Sequence, residues 1–416
     1  MGPPISEYAS VRRVLEDALS MMARERRVES VLPADSFGRV SADEVRSPAD
    51  IPARTVSRMD GFAVRSANTE AATETRPTRL QIAGEVPLGA TPAAKAKAGE
   101  AWRVSTGSFI PDGTDAVLPV EDVWARGGRI VVMRPIERST NLYPAGEDIR
   151  KGAVLMPKGA RFRAQDVALA ITLRVRSLNV YGRPRVAVLA TGSELTNSAY
   201  GEEGKIPNSH VPFFLSLAGA VGCDAVDMGI ARDRRGEIAS KLGKSLRLAD
   251  IVLTTGGTSA GKFDLLDEAI RRLEPSVIHH GIRMDRGRVA GLAVIRRKPV
   301  VMMPGPIQGA LNAFILLALP LIQRASGGID ELPRVRAKLS RRWEARKRFP
   351  NFTKVLYLRL VSGRSGIVAE PLVGETESVS LLRRSNAVTI VPEEVRSMEA
   401  GHDVEAILLP GFSSVA

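Results

Sequence analysis

Three glycine-rich turns carry the residue types best suited to holding an anion. They are Thr191-Gly192-Ser193-Glu194, the run from Thr255 to Asp264 (TGGTSAGKFD), and Pro304-Gly305-Pro306. Glycine lets backbone N–H groups approach a phosphate closely, and a helix N-terminus behind the turn adds a favourable partial charge. Thr258 and Ser259 add hydroxyl donors, and Asp264 adds a carboxylate able to hold a metal or a ring amide. The second turn is not a P-loop, because no Gly-Lys-Ser/Thr ends it, and its glycine spacing is not that of a dinucleotide fingerprint. Three further polar segments lie upstream: Asp60 within SRMDGFAV, Ser105-Thr106-Gly107-Ser108 ahead of PDGTDA, and Gly146-Glu147-Asp148-Ile149-Arg150. Taken singly, each also fits an ordinary turn with no ligand.

The elements that must position these turns follow from periodicity. Apolar residues at helical spacing (Val11, Val14, Leu15, Ala18, Leu19, Met22) predict an amphipathic helix within 8–28. Residues 47–60 carry two prolines and read as extended. Short β-type runs at Leu80–Ile82, Trp102–Val104, Ala116–Val120 and Ile130–Met133 alternate with Gly and Pro turns, which indicates a small β-rich domain. Loop and then helix return over 145–178. From Arg185 onward, apolar strands alternate with helices: RVAVLAT, VPFFLSLAGAVG, AVDMGI, GEIASKLGKSL, ADIVLTTGG, DLLDEAIRRL, PVVMMPG, GALNAFILLALPLI. That alternation indicates a three-layer α/β domain with a mainly parallel sheet, whose ligands bind beyond the carboxyl ends of the strands. After Leu332 the strand-rich runs KVLYLRLV, GIVAEPLV, AVTIVPE and VEAILL indicate a small β-barrel or sandwich.

Composition narrows the function. The chain has 416 residues, 44% of them hydrophobic, and favours several globular domains. One cysteine, Cys223, excludes a disulfide scaffold and a Cys-rich zinc or iron–sulfur site. Four histidines leave little room for a His-based metal site, and the adjacent pair His279 and His280 reads as incidental. The formal net charge is +13, with eight basic and two acidic residues in 331–350 and a second basic cluster from Arg271 to Lys298. Such charge suits a polyanionic partner or simply an arginine-rich surface. Only 5% of residues are aromatic and the basic runs hold just Trp343 and Phe349, so a nucleic-acid interface is not expected. The N-terminus has no basic region followed by an apolar stretch, and the longest apolar run, Ala310 to Ile322, is broken by Asn312 and Pro320. A soluble, cytoplasmic protein without a membrane partner is the expectation.

In order along the chain, SRMDGFAV, STGSFIPDGTDAV, GEDIRKG, LATGSEL, TTGGTSAGKFD and MMPG resemble the MoeA-type molybdopterin molybdenumtransferase family, which includes gephyrin E-like domains. Six weak motifs in register over nearly the whole chain make the resemblance specific. It implies α/β multidomain architecture. Residues 1–54 and 140–182 would form a two-part elongated N-terminal domain, 55–139 an inserted β-rich domain, 183–328 the pterin-binding α/β domain and 329–416 a C-terminal β-barrel. It also implies an enzyme that inserts molybdate (or tungstate) into adenylylated molybdopterin with loss of AMP. Magnesium would be the cofactor, a homodimer the assembly, and other cofactor-biosynthesis proteins the partners. A catalytically weak paralogue that carries the pterin or scaffolds a partner is the second reading.

Residue by residue, the resemblance gives catalytic roles to Asp60, Asp148, Asp264 and Arg288. Pterin or phosphate contacts fall to Thr106, Gly107, Thr191, Gly192, Glu194, Asp233, Gly256, Gly257, Thr258, Ser259, Gly261, Pro304, Gly305 and Ser380, and metal binding to Glu194 and Asp233. Carboxylates repel a free anion, so they more readily hold metal or the pterin's amino and imino groups. The chain departs from the family at the anion edge. Its Lys-Pro-Gly-Lys-Pro segment is here Asp285-Arg286-Gly287-Arg288-Val289, its Pro-Gly-Asn-Pro turn is Pro304-Gly305-Pro306-Ile307, and an expected Asn is His210. Arginine's planar fork makes it an imperfect substitute for lysine there.

Overall fold

The computed structural model describes residues 7–198, 201–257, 265–328, 332–363, 366–375 and 377–409. At its centre is a six-stranded sheet in the order Asp224–Ala231, Arg185–Thr191, Ile251–Thr255, Lys298–Met303, Gly291–Ile295, Val277–His280. The first four strands are parallel, and the last two extend the sheet as antiparallel neighbours. The middle strands are buried on both faces, which is why they read as unbroken apolar runs. Alternate residues still go to opposite sides. Val186, Val188 and Ala190 pack with Phe214, Leu217, Leu311 and Phe314, whereas Ala187 and Leu189 pack with Ile238, Leu242 and Leu266. Helices His210–Ala220 and Ile307–Ser326 thus cover one face, and Arg235–Leu248 and Leu265–Arg271 the other.

The N-terminal helix, Val11–Met21, also belongs to this body. Ser10 caps it, accepting from Arg13 N at 3.3 Å, and Val14, Ala18 and Met22 are buried against the sheet's first face. The helix is shorter than the 8–28 window because the apolar repeat stops at Met22, and a strand, Val28–Val31, follows. Helix Ile307–Ser326 is long and apolar enough to cross a membrane by composition, yet most of it is buried in the protein core. Its middle, Phe314–Ala318, widens to π geometry just ahead of Pro320, which has no N–H to offer the preceding turn.

The two outer strands occupy the stretch read from sequence as a basic cluster. Val277–His280 has two histidines among four residues, and each is held by a helix. His279 Nε2 lies 2.9 Å from Asp17 Oδ2, and His280 Nδ1 lies 3.4 Å from Asp267 Oδ1. The pair is therefore a structural clasp between the edge strand and helices on both faces, not an incidental repeat. Burial alone would raise the Asp267 pKa, but hydrogen bonds from His280 and Arg271 hold it below the usual carboxylate value. The hairpin from Ile295 to Lys298 turns through Arg296 and Arg297, both at positive φ (50° and 64°), where Asn-Gly is the usual choice.

Outside this body, strand Leu178–Tyr181 pairs with Val28–Val31 and Val40–Ser41, joining two distant chain segments. Between them in sequence lies a second six-stranded sheet, Ala116–Pro119, Gly61–Val64, Glu100–Val104, Thr78–Val86, Arg129–Val132, Val123–Arg126. The C-terminal strands Arg334–Leu339, Gly366–Leu372, Lys354–Gly363, Ala387–Val391 and Asp403–Ile407 close a barrel rather than a sandwich. Part of the 331–350 basic run is the outer face of its first strand: Arg334, Arg336 and Lys338 point out while Ala337 and Leu339 are buried. Lys354 is only 3% exposed, and its ammonium donates to the carbonyls of Pro350 (2.8 Å), Val395 (3.0 Å), Glu393 (3.2 Å) and Pro392 (3.4 Å).

Leu253 is fully buried at the middle of the parallel strands. Leu253→Ala should destabilise the α/β body by about 2–5 kcal/mol through lost contacts and a residual cavity. Denaturant unfolding followed by circular dichroism measures it, and a loss under about 1 kcal/mol would show that the sheet centre is not packed as described.

Candidate active site

The first two glycine turns are stacked on one another. Gly256 and Gly257 have φ of 82° and 67°, and a Cβ at these positions would lie 2.5 Å from Thr191 O and 2.6 Å from Thr191 Oγ1. Only glycine lets the second turn cross the end of the first strand at this distance. Thr191 Oγ1 donates to Thr255 O at 3.3 Å, which ties the two strand ends together. Beside them opens a cavity of about 250 Å³, lined by Thr191, Glu194, Asn208, His210, Thr255, Gly256 and Gly305 among others. It lies at the carboxyl ends of the parallel strands, where α/β domains bind ligands.

The structure divides the sequence-derived binding residues into those that face a ligand and those that brace the turns. Gly192 N donates to Ala231 O (3.0 Å) and Gly256 N to Met303 O (3.1 Å), so neither amide is free for an anion. The N–H groups of Gly257 and Gly305 make no such bond to the described residues. Asp233 Oδ2 accepts from Ser193 N, and Ser193 Oγ accepts from Asp233 N, both at 2.9 Å. Asp233 is thus a cap on the Gly192 turn. The Glu194 carboxylate folds back over Gly192. Among the described residues no group of three His, Cys, Asp or Glu is disposed to hold a metal. Thr258, Ser259, Gly261 and Asp264 lie outside the described residues. Gly305 lines the cavity, and Pro304 packs near Gly309 behind it.

His210 begins the helix that walls the cavity, and its ring meets Phe214 edge-on at 6.2 Å. Burial lowers its pKa below the ordinary 6.5, so the imidazole is neutral at pH 7. Cys223, the lone thiol, is buried and pushed up to about 12 by burial first, so it is chemically quiet.

A second, smaller cavity of about 80 Å³ lies where the α/β body meets the barrel, lined by Asp285, Arg286, Gln308, Arg346, Lys354 and Tyr357 among others. Arg286, at φ 51°, donates to Gln308 Oε1 at 2.6 Å. Gln308 in turn donates to Glu375 O. Asn312, one turn along the helix, donates to the carbonyls of Asp285 (3.1 Å) and Arg286 (3.2 Å) and accepts from Tyr357 Oη at 2.7 Å. Arg288 does not line this cavity, and its guanidinium stacks 5.0 Å over the Phe349 ring. Asp285 does line it, beside Arg286. Sequence reading missed Gln308 and Asn312 as site-shaping residues. Their signal was present as two polar groups four apart on an otherwise apolar helix.

The remaining carboxylates lie elsewhere. Asp60 Oδ1 accepts from Thr106 N at 2.7 Å and from Thr106 Oγ1 at 3.2 Å. Gly107 N donates to Ser57 O at 2.8 Å, and Arg58 N to Asn141 O at 2.9 Å. The segment holding Asp148 is fastened to the same linker, with Asp148 N and Ile149 N both 3.1 Å from Ile51 O. Both carboxylates remain solvent-exposed. Ser380 sits in the first turn of helix Val379–Arg384, 3.1 Å from its cap Ser378. Neither Asp60 nor Asp148 lines either cavity. One chain therefore presents two separate half-sites.

Comparison with known proteins matches residues 8–173 to the MoeA N-terminal region (domain I and II) and residues 187–324 to the probable molybdopterin binding domain. The chain belongs to the MoeA family. Molybdopterin molybdenumtransferase of Bacillus subtilis (strain 168) is 29% identical over 416 residues, covering 98% of this chain and 94% of that protein. The enzyme of the same name from Staphylococcus aureus (strain COL) is 27% identical over 410 residues, covering 97% and 96%. A crystal structure of the molybdopterin biosynthesis MoeA protein from Pyrococcus horikosii superposes with a TM-score of 0.84 at 29% identity, over 98% of this chain and all of that one. MoeA membership places the strand-end cavity in the molybdopterin-binding domain and the Asp60 cluster in the N-terminal region.

Two predictions follow from this geometry. Because the folded state resists protonating His210, the unfolded chain binds more protons near pH 6, and stability falls as pH drops below about 6.5. His210→Asn should flatten that part of the stability profile between pH 7 and 5, and an unchanged profile would show that His210 titrates freely. Tyr357→Phe leaves the buried Asn312 Oδ1 without its donor and should cost about 1–3 kcal/mol in denaturant unfolding.

Proposed function

We propose that this chain inserts molybdate into adenylylated molybdopterin and releases AMP. The observation that carries this reading is the placement of the cavity. The glycine turns of the molybdopterin-binding domain open a cleft at the carboxyl ends of its parallel strands, with the Gly305 amide in its lining and the Gly257 amide next to Gly256 of that lining, neither bonded among the described residues. Those amides, on Gly257 and Gly305, suit the phosphates of the substrate. Neutral His210 and Asn208 suit the donors and acceptors of a pterin ring. Arg286, Arg346 and Lys354 leave the joint cavity one positive charge in excess of Asp285 and Glu344, which suits a tetrahedral oxyanion. Tungstate has the same charge and shape. In the reaction the two dithiolene thiols form bonds to the metal and displace one oxo group of the oxyanion as water, and water cleaves the phosphoanhydride link to release AMP.

The separated half-sites support a homodimer in which Asp60 and Asp148 of one copy complete the cleft of the other. Thr106 holds one oxygen of Asp60, leaving the second free to accept a proton or a metal-bound group. The magnesium implied by family resemblance would draw on Glu194 and on Oδ1 of Asp233, because Ser193 N occupies Oδ2. No step is routed through it here. The presence of Asp285 beside Arg286 favours the second reading, a weakly active member that binds the pterin without turning it over, since a carboxylate there repels molybdate.

Titration calorimetry with adenylylated molybdopterin, with and without molybdate, and AMP followed in the same samples, separates the two. Molybdate-dependent AMP release supports the transferase. Binding without release supports the carrier, and no binding overturns both. Asp60→Asn and Asp264→Asn should each lower the rate by about 100-fold or more while the fold is kept. Mixing Asp60→Asn subunits with Gly257→Ala subunits should restore part of the activity if the cleft is shared, and no recovery would overturn the shared cleft.

A further inference from the structure

We propose that the amino edge of the central sheet carries a second anion site, which takes a compact anion of the diphosphate class. A cleft of about 280 Å³ opens there, where Arg185 begins one parallel strand, Asp250 precedes the next, and Lys298 begins a third. Strand Arg185–Thr191 separates it from the molybdopterin-side cavity by its whole length, about 20 Å. The two sites share no lining residue.

The cleft is strongly cationic. Arg26, Arg27, Arg183, Arg185, Arg247 and Arg297 line it with Lys298, against Glu25 and Asp250. A structural explanation accounts for part of this charge. Three helices, Val11–Met21, Arg235–Leu248 and Leu319–Ser326, end at the cleft, and each C-terminus carries about −0.5 of a charge. Two cations answer them directly: Arg26 Nε donates to Arg324 O at 3.2 Å and Lys298 Nζ to Leu246 O at 2.7 Å. Arg27 pairs with Glu29 at 2.5 Å, and Asp250 is held by Arg185 N at 2.8 Å.

That leaves Arg183, Arg185, Arg247 and Arg297, whose guanidiniums make no hydrogen bond or ion pair with the described residues. Against the seven cations stand Glu25, Asp250, the Glu29 partner of Arg27 and about −1.5 from the helix ends, so the cleft keeps a net charge of about +2.5. Four like charges around one cleft repel each other until an anion enters. Arg297 is brought there by the left-handed hairpin turn, a position that asparagine or glycine fills more readily.

The shape limits the ligand. At about 280 Å³ the cleft lies just below the usual range for drug-sized ligands, and no aromatic side chain lines it for base stacking. Paired guanidinium forks match the oxygens of adjacent phosphates. The apolar wall of Met22, Pro184, Leu248 and Ala249 leaves room for a small organic group beside them.

The test is titration calorimetry of the full chain at about 0.15 M salt, without divalent ions, using inorganic pyrophosphate and, separately, ADP. The proteins are wild type, R247A/R297A, and Gly257→Ala at the molybdopterin-side cavity. Both arginines are exposed and unpaired, so the double variant should keep the wild-type melting temperature. The proposal expects wild type and Gly257→Ala to bind pyrophosphate alike and R247A/R297A to bind at least about tenfold more weakly, the effect of losing charge-assisted contacts. ADP binding as tightly as pyrophosphate identifies a nucleotide as the ligand, and pyrophosphate binding alone identifies an inorganic or non-nucleotide diphosphate. No binding by wild type overturns the site. So does binding that Gly257→Ala weakens and R247A/R297A leaves unchanged, because the probe then occupies the other cavity.

Discussion

The candidate site depends on one close approach, that of the 255–257 turn to Thr191. The backbone of Gly256 passes within contact of the Thr191 carbonyl, and Gly257 lies against its hydroxyl. This contact sets where the carboxyl ends of two adjacent parallel strands sit, and hence where the cavity opens. Any side chain at either glycine would push the turn away from the strand end. The Ser193–Asp233 pair and the Gly192–Ala231 bond brace the Gly192 turn that follows Thr191. Several residues with the character of ligands are therefore part of the frame, and the amides left unbonded among the described residues belong to their neighbours.

The barrel is joined to this frame by a second polar network. Gln308 and Asn312 project from a buried helix to bond the Asp285–Arg286 backbone, the Arg286 guanidinium, Tyr357 and the Glu375 carbonyl. Buried polar groups of this kind are stabilising only when all are satisfied, so the relative placement of barrel and α/β body is tightly specified. Asp285 and Arg286, which open the altered 285–289 segment, lie inside this network, which explains how it tolerates a left-handed Arg286 and a carboxylate beside it.

Much of the fold was legible because burial on both faces writes itself as unbroken apolar runs. RVAVLAT, IVLTT and PVVMM are all strands of the parallel sheet, and the helices between them follow the expected order. The edge strand Val277–His280 and its neighbour Gly291–Ile295 were not legible, because they are short and sit in a stretch rich in arginines and histidines. Their stability comes from neighbours, the clasp of His279 to Asp17 and of His280 to Asp267, and those partners are distant in sequence. The barrel's first strand was hidden in the same way, its outward arginines reading as a charge run while every second residue faced the core.

The sequence by itself determined the family, the order of the elements and the three glycine turns, because each is encoded in local residue type and spacing. Tertiary structure alone decided which of those residues are available to a ligand. Asp233 Oδ2 and the amides of Gly192 and Gly256 are taken up by bonds across 39 to 47 residues of chain, which no local pattern reports. It also decided that Asp60 and Asp148 are exposed and lie outside the lining of the cavity that Thr191 and Gly305 share. The physical reason is the same in both cases. Hydrogen-bond satisfaction and packing are settled between elements, after each has formed, so they depend on where distant segments meet rather than on what each segment contains.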